Sequence, residues 1–411
     1  MGNRFSPADD PAGADDFRRL GLGVLGRVLA GTSSGPPEDG DRRLSPQARN
    51  RVAQSFADIG PEPVVDYHVH ILGRGTGGSG IEVNPSLLSR RHPCKWFKTR
   101  IFLRACGVGD WVRVDQDYVE RVIRLARNFG HPLKLHLVAL DQGYQPDGTL
   151  ARSPIDFYVP NEYVVRLSEL NPDLFVPVVS IHPDRPDALD EVAKWAARGV
   201  RFVKWLPNAQ GIDPSLPRYD AFYERLRAER LVLLTHTGME RSVASHSQAF
   251  GNPLLLRRPL DRGVTVIMAH CACSGRSADL DGPGKTADNF DLFLRMMSID
   301  RYRGLLFADL SAMTQINRTP RPILTMIRRP DLHDRLVNGS DYPLPALNCM
   351  IWTRQLAWLS LIDDSDRRCL NEIYALNPLL FDYVLKRTIR DPITGNRLPA
   401  SLFKQNPGFR S

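Results

Sequence analysis

Eight short apolar runs recur along this chain from Val64 onward, and they constrain the fold more than any other feature. They are Val64–Ile71, Leu133–Leu140, Leu174–Ile181, Val200–Trp205, Leu231–His236, Val264–His270, Leu305–Leu310 and Leu336–Asp341. Helix-like segments lie between them, among them Asp117–Asn128, Asp187–Arg198, Tyr219–Glu229 and Pro253–Arg262. Near-continuous apolar strands separated by helices read as parallel βα units. A count of eight predicts an α/β fold of the (β/α)8 TIM-barrel type rather than an open sheet.

The barrel is expected over residues 61–385. Residues 1–60 form an N-terminal extension rich in Gly, Pro, Asp and Arg, read as a helix near Asp16–Ala30, a linker around Gly31–Pro37 and a helix near Pro46–Asp58. Residues 386–411 carry six basic side chains and one acid, Asp391, and read as a solvated basic tail. Two segments, 73–115 and 271–290, are too long for ordinary barrel connections. Both follow strand C-termini, where barrel enzymes build substrate sites, so both are expected to shape the pocket.

The net charge of +8 is spread along the 411 residues without a nucleic-acid motif, so no nucleic-acid partner is expected. No run approaches the roughly 20 apolar residues of a membrane helix. The apolar stretch Leu20–Ala30 follows Asp15, Asp16, Arg18 and Arg19 and is interrupted by Arg27, unlike a secretory signal. Six cysteines, with no Cys-x-x-Cys pair, form no disulfide scaffold. A cytoplasmic protein acting on a small molecule is expected.

Chemistry-bearing side chains gather at the ends of the runs. Asp66-Tyr67-His68-Val69-His70 closes the first, and strand alternation puts His68, His70 and Asp66 on one face. His236 closes the fifth, His270 the sixth and Asp341 the eighth, while Lys204 lies near the end of the fourth. A polar side chain ending a buried run needs a partner, because burial without one is costly. In a barrel all these ends share one rim, so the set converges. Glu240, Trp205 and His182 lie at the same rim and are candidate substrate contacts, each with a structural alternative: a cap of the following helix for Glu240, core packing for Trp205, a loop hydrogen bond for His182.

On these residues the chain resembles the amidohydrolase superfamily, in particular its amidohydrolase-2 branch. The phrases Lys204-Trp205-Leu206-Pro207, Thr235-His236-Thr237-Gly238, Ala269-His270-Cys271 and Gly339-Ser340-Asp341-Tyr342-Pro343 carry the resemblance with the His68/His70 pair. It implies a divalent metal, zinc by the donor set, held by His68, His70, His236 and Asp341, with His270 on the water. With two ions, a carboxylated Lys204 bridges and His270 also ligates; the one-ion arrangement is preferred. It implies catalysis by Asp341 and His270, hydrolysis of a C–N or C–O bond, and often a homodimer. The runner-up is a metal-dependent, non-oxidative decarboxylase of an aromatic or unsaturated acid; a non-catalytic metal-binding barrel is the third reading.

Overall fold

The structure is a computed structural model that describes residues 44–409, apart from 110–111, 152–154, 283 and 348. The helix expected at Asp16–Ala30 and the linker after it lie outside the described residues. The second expected helix is α1, Pro46–Phe56. Ser45 caps it by accepting the Ala48 N–H at 3.2 Å, and Pro46 starts it. Its Phe56 ring stacks on Tyr383 at 4.7 Å, so this part of the extension is packed against the barrel.

All eight runs are strands: β1 (Val64–His70), β2 (Leu133–Val138), β3 (Phe175–Ser180), β4 (Phe202–Trp205), β5 (Val232–Thr235), β6 (Thr265–Met268), β7 (Leu306–Asp309) and β8 (Leu336–Val337). They pair in parallel in sequence order. The ring closes where the segment after β8 returns to β1. The Tyr67 N–H donates to the Asn338 carbonyl (2.9 Å), the Asp341 N–H to that of His68 (2.9 Å), and the His70 N–H to that of Tyr342 (2.8 Å). The closing contacts thus join β1, which carries two histidines, to the segment that carries Asp341. Gly339 permits this approach, since a Cβ there would stand 3.0 Å from the His68 Cβ.

The register between β1 and β2 slips between Asp66 and Val69. Val65 and Tyr67 therefore belong to the apolar cluster inside the barrel, with Phe202, Leu234, Ile267 and Phe307. His68 and His70 face the barrel mouth, as expected. Asp66 does not share their face, because simple alternation does not survive the slip. It lies on the outer side, against Leu379 and Asp382, and accepts the N–H groups of His68 (3.1 Å) and Ser340 (2.8 Å).

Outside the ring lie α2 (Pro93–Ala105), α3 (Val114–Arg127), α4 (Ala188–Ala197), α5 (Asp220–Ala228) and α6 (Pro378–Thr388), among other helices. The helix expected at Pro253–Arg262 is a 3-10 turn, Pro253–Leu256, followed by a short α-helix, Arg257–Asp261. Pro259 has no N–H to give the Leu255 carbonyl, so a continuous α-helix cannot form.

The C-terminal residues are not the solvated tail that their charge suggests. Lys386, Leu398, Leu402 and Phe403 are buried. Arg387 pairs with Asp58, Arg390 with Asp363, and Lys404 with Glu62. Phe409 closes the barrel floor, 4.6 Å from Phe307, 5.6 Å from Tyr67 and 5.8 Å from Phe202 between ring centroids. The Asn406 N–H donates to the Tyr67 hydroxyl at 3.0 Å. Phe409→Ala is expected to cost about 2 kcal/mol, less than a wholly buried Phe because the ring is part-exposed. Denaturant midpoints of the two proteins check this; equal midpoints would contradict the plug.

Candidate metal centre

The strand ends bring His68, His70, Lys204, His236, His270 and Asp341 together at the mouth. His68 is fully buried between neighbours on three sides. Its Nδ1 lies 2.9 Å from Asp309 Oδ2. Its Nε2 lies 3.1 Å from His70 Nε2, 2.8 Å from Lys204 Nζ and 3.7 Å from Asp341 Oδ1. His70 Nε2 is 3.2 Å from the same Asp341 oxygen. On the other side His270 Nε2 faces His236 Nδ1 at 3.2 Å, and His270 Nδ1 lies 3.9 Å from Asp341 Oδ2. His68, His270 and Asp341 form a compact group whose donor atoms all lie within 4.8 Å of one another and which fits a metal site.

Electrostatics fix the protonation of these groups. Burial alone would raise Asp309, but His68 and His270 hold it below the usual carboxylate range. It is therefore an ionised acceptor to which His68 donates from Nδ1, with the His68 Nε2 turned towards the mouth. The Ser311 hydroxyl donates to the same Asp309 and so accepts from His270 Nδ1, 2.6 Å away. That leaves His270 Nε2 as acceptor for His236 Nδ1–H, and His236 with a bare Nε2. This Nε2 is buried, makes no hydrogen bond, and lies 3.4 Å from Glu240 Oε2. Burial lowers His70 and His270, and takes His236 to about 4, so all three are neutral at pH 7 and able to ligate.

For Asp341 burial is again the largest influence and would raise it, yet His68, His70 and Lys204 hold the carboxylate ionised. Burial lowers Lys204 to about 8, against the opposing pull of Asp341, Asp309 and Glu240. Lone pairs on two or three imidazoles and a carboxylate thus converge on one point. Bonds of about 2.0–2.1 Å to a tetrahedral ion put ligand atoms about 3.3 Å apart, close to the separations among His68, His70 and Asp341. The donor set therefore suits a divalent cation.

Local backbone geometry serves this placement. His270, Cys271 and Ala272 take positive φ values of 60°, 47° and 50°, and Asp341 one of 58°. Such values are uncommon without glycine and concentrate at functional sites. At His270 the turn is held by its own N–H donating to Asp309 Oδ1 at 2.9 Å.

A cavity of about 320 Å³ opens onto the group. Residues 71–74, the 83–103 region with α2, and 239–244 wall it. The base of the long 73–115 insertion is pinned by buried Asp115, which accepts from the Arg74 N–H (2.6 Å), the Gly75 N–H (3.0 Å) and the Thr76 and Ser79 hydroxyls. This insertion shapes the pocket as expected. The 271–290 segment does not: it forms a hairpin, Arg276–Ala278 with Thr286–Asp288, and among its described residues none lines the cavity.

Two proposed substrate contacts also lie elsewhere. Trp205 is fully buried, donates from Nε1 to the Ile181 carbonyl (2.8 Å) and stacks on Phe222. Phe202 and Lys204 point inward, so Trp205 between strand and helix must point outward. His182 is a loop residue, with Nε2 3.1 Å from the Gln210 carbonyl oxygen and Nδ1 accepting the Asp184 N–H. Glu240 lines the cavity and also accepts the N–H groups of Ser242 and Val243, so it orders the turn after it. Asp309 is the residue that sequence reasoning missed. It is the last residue of β7, one short of the end of the seventh run, and the same strand-end rule would have found it.

The chain belongs to the amidohydrolase family, whose family model (Amidohydrolase) matches residues 65–372. No curated protein matches it. Several solved structures resemble it at low identity. An uncharacterised TIM-barrel protein from Bordetella bronchiseptica is 16% identical, with 75% of this chain and 99% of that one covered and a TM-score of 0.47. A 5-carboxyvanillate decarboxylase from Sphingomonas paucimobilis is 11% identical, covering 70% and 92%, at 0.43. A zinc-bound amidohydrolase from Burkholderia multivorans is 12% identical, covering 75% and 95%, at 0.42.

Proposed function

We propose that this amidohydrolase is a metal-dependent hydrolase that cleaves a C–N or C–O bond, in an amide, lactone or ester, of a small molecule. The observation that supports this is the meeting of His68 Nε2, His70 Nε2 and Asp341 Oδ1 within 3.1–3.7 Å of one another at the mouth of an apolar cavity. His68, His70, His236 and Asp341 are the residues that would hold a single zinc ion. Such an ion supplies acidification of a water, to a pKa near 7, and polarisation of a carbonyl oxygen.

The chain's own groups carry the proton. Asp341, ionised at neutral pH, accepts it from the attacking water and returns it to the leaving nitrogen or oxygen. His270, neutral, accepts the His236 Nδ1–H at its Nε2 and so holds the His236 ring in place beside that water. Asp309 fixes the tautomers of His68 and His270, and Glu240 faces His236. Leu72, Leu140, Phe157 and other apolar walls exclude bulk water and strengthen these interactions.

The one-ion arrangement predicts about one equivalent of metal per chain, retained in Lys204→Ala. Near two equivalents, falling by half in that variant, would contradict it. The reaction class is tested by incubating the zinc-loaded protein in ¹⁸O-water with cyclic amides, lactones, esters and hydroxybenzoate-type acids. Label in the product acid is expected. CO₂ release from the acids, with no label incorporated, would replace hydrolysis by decarboxylation.

A further inference from the structure

We propose that Arg318 is the anion-recognition residue of this cavity, and that the substrate is a small organic acid whose carboxylate docks on its guanidinium beside the metal centre. The proposal rests on the metal-dependent reading of the same cavity and adds a substrate class to it.

Arg318 comes from the loop that follows β7, and it lines the cavity together with His236 and His270. A guanidinium has five N–H donors and no acceptor. Here the side chain makes one weak contact, from Nη1 to Cys273 Sγ at 3.5 Å, and its Nε is buried without a hydrogen bond. Among the described residues no carboxylate pairs with it. Many other arginines in the chain do have such partners: Arg258 is forked onto Asp220, Arg328 onto Asp391, and Arg185 onto Asp187. None of the acids that line the cavity is paired with Arg318, although Asp156 keeps one buried oxygen, Oδ1, without a hydrogen bond. Glu240 caps residues 242–243 and faces His236, and Asp156 accepts the Ala244 N–H at 2.7 Å. A part-buried cation without an internal partner is costly unless a ligand supplies the acceptor.

The loop is held in place before any ligand arrives. The Arg318 N–H donates to the Gln315 carbonyl (3.0 Å), the Ile316 N–H to that of Met350 (2.9 Å), and Gln355 Nε2 to that of Ile316 (3.3 Å). The fork is therefore presented from a fixed base, which lowers the cost of binding. Charge around the cavity agrees. Six Lys and Arg side chains line it against three carboxylates, Asp156, Glu240 and Asp341. Asp341 and Glu240 face the histidine cluster, so the cavity beyond the metal centre carries a net positive field that favours anions. The remaining wall, with Leu72, Phe102, Leu140 and Phe157, is apolar. A ring-sized acid with an apolar body matches that lining and volume.

The test compares benzoate with its neutral isostere benzamide, by calorimetric titration of the zinc-loaded full chain. Both probes offer an oxygen to the metal, so the difference between them isolates the charge. The wild type is expected to bind benzoate more tightly than benzamide. Arg318→Met is expected to lose about tenfold or more of the benzoate affinity while benzamide changes by less than about twofold. Arg318→Lys, which keeps the charge without the fork, recovers part of the loss and serves if the methionine variant does not fold. Unchanged benzoate binding in Arg318→Met, an equal fall for both probes, or no benzoate binding by the wild type up to about 10 mM overturns the assignment. Metal content is measured on the same samples. Wild-type zinc with any of those results leaves the metal-centre reading standing, whereas a wild type that holds no zinc overturns that reading itself.

Discussion

Asp341→Asn is expected to lower kcat by about 10²- to 10⁴-fold, the range associated with a positioned acid–base group, while the protein stays folded. The variant is conservative in shape. Asp341 sits at φ 58°, a left-handed conformation that asparagine also tolerates, so the backbone turn after β8 survives. Its N–H still donates to the His68 carbonyl, which preserves ring closure. What is lost is the anionic oxygen 3.2 Å from His70, hence both the proton acceptor and one unit of charge at the centre. Near-UV circular dichroism and the melting temperature should stay close to wild type. Activity within about twofold of wild type would remove Asp341 from the proton-transfer role.

Lys386→Met is expected to cost about 3–5 kcal/mol of stability, the usual consequence of breaking a buried ion pair from one side. Lys386 is fully buried on α6. Its Nζ donates to Asp382 Oδ2 (2.6 Å), to the Gly339 carbonyl (2.7 Å) and to Asn338 Oδ1 (3.3 Å). It thus neutralises one buried carboxylate and anchors the segment that presents Asp341. Burial raises Asp382 from 3.8 to about 6, with Lys386 opposing the rise. A carboxyl raised on folding contributes stability that is present below its unfolded value and lost as pH climbs through its folded value. Removing Lys386 raises it further, so the deficit of the variant relative to wild type should shrink between about pH 7 and pH 5, where Asp382 can protonate. Urea titrations at both pH values check this. The double variant Lys386→Met/Asp382→Leu should recover most of the loss at pH 7 but not the anchor on Gly339. A single-variant deficit below about 1 kcal/mol, flat with pH, would contradict this account.

The barrel and most of the candidate site were legible because both follow from strand ends. Each apolar run announced a strand, and each polar residue ending one landed at the rim. Among the readings that the structure corrects, three went wrong for physical reasons that single-residue patterns do not carry. Asp66 was placed beside His68 by ideal alternation, but the register slip within β1 turns it outward to the α6 side. Trp205 was judged by its place at the strand end, although Lys204 already occupied the inward face. The last 25 or so residues looked like a charged tail because the partners of their arginines and lysines (Asp58, Asp363, Glu62) are distant in sequence. Their apolar residues, Leu398, Leu402, Phe403 and Phe409, follow no helical or strand period. Arg318 was invisible for a related reason: only the folded chain reveals that a basic residue lacks a partner.

The central claim is that the histidine cluster and the late carboxylate share one cation. Anomalous diffraction from crystals of the zinc-loaded protein, recorded above and below the zinc absorption edge, tests it most directly. The account predicts a single strong peak about 2.0–2.2 Å from nitrogen atoms of His68, His70 and His236 and from an Asp341 oxygen. No peak there, or zinc bound only at surface side chains away from the barrel mouth, would contradict it.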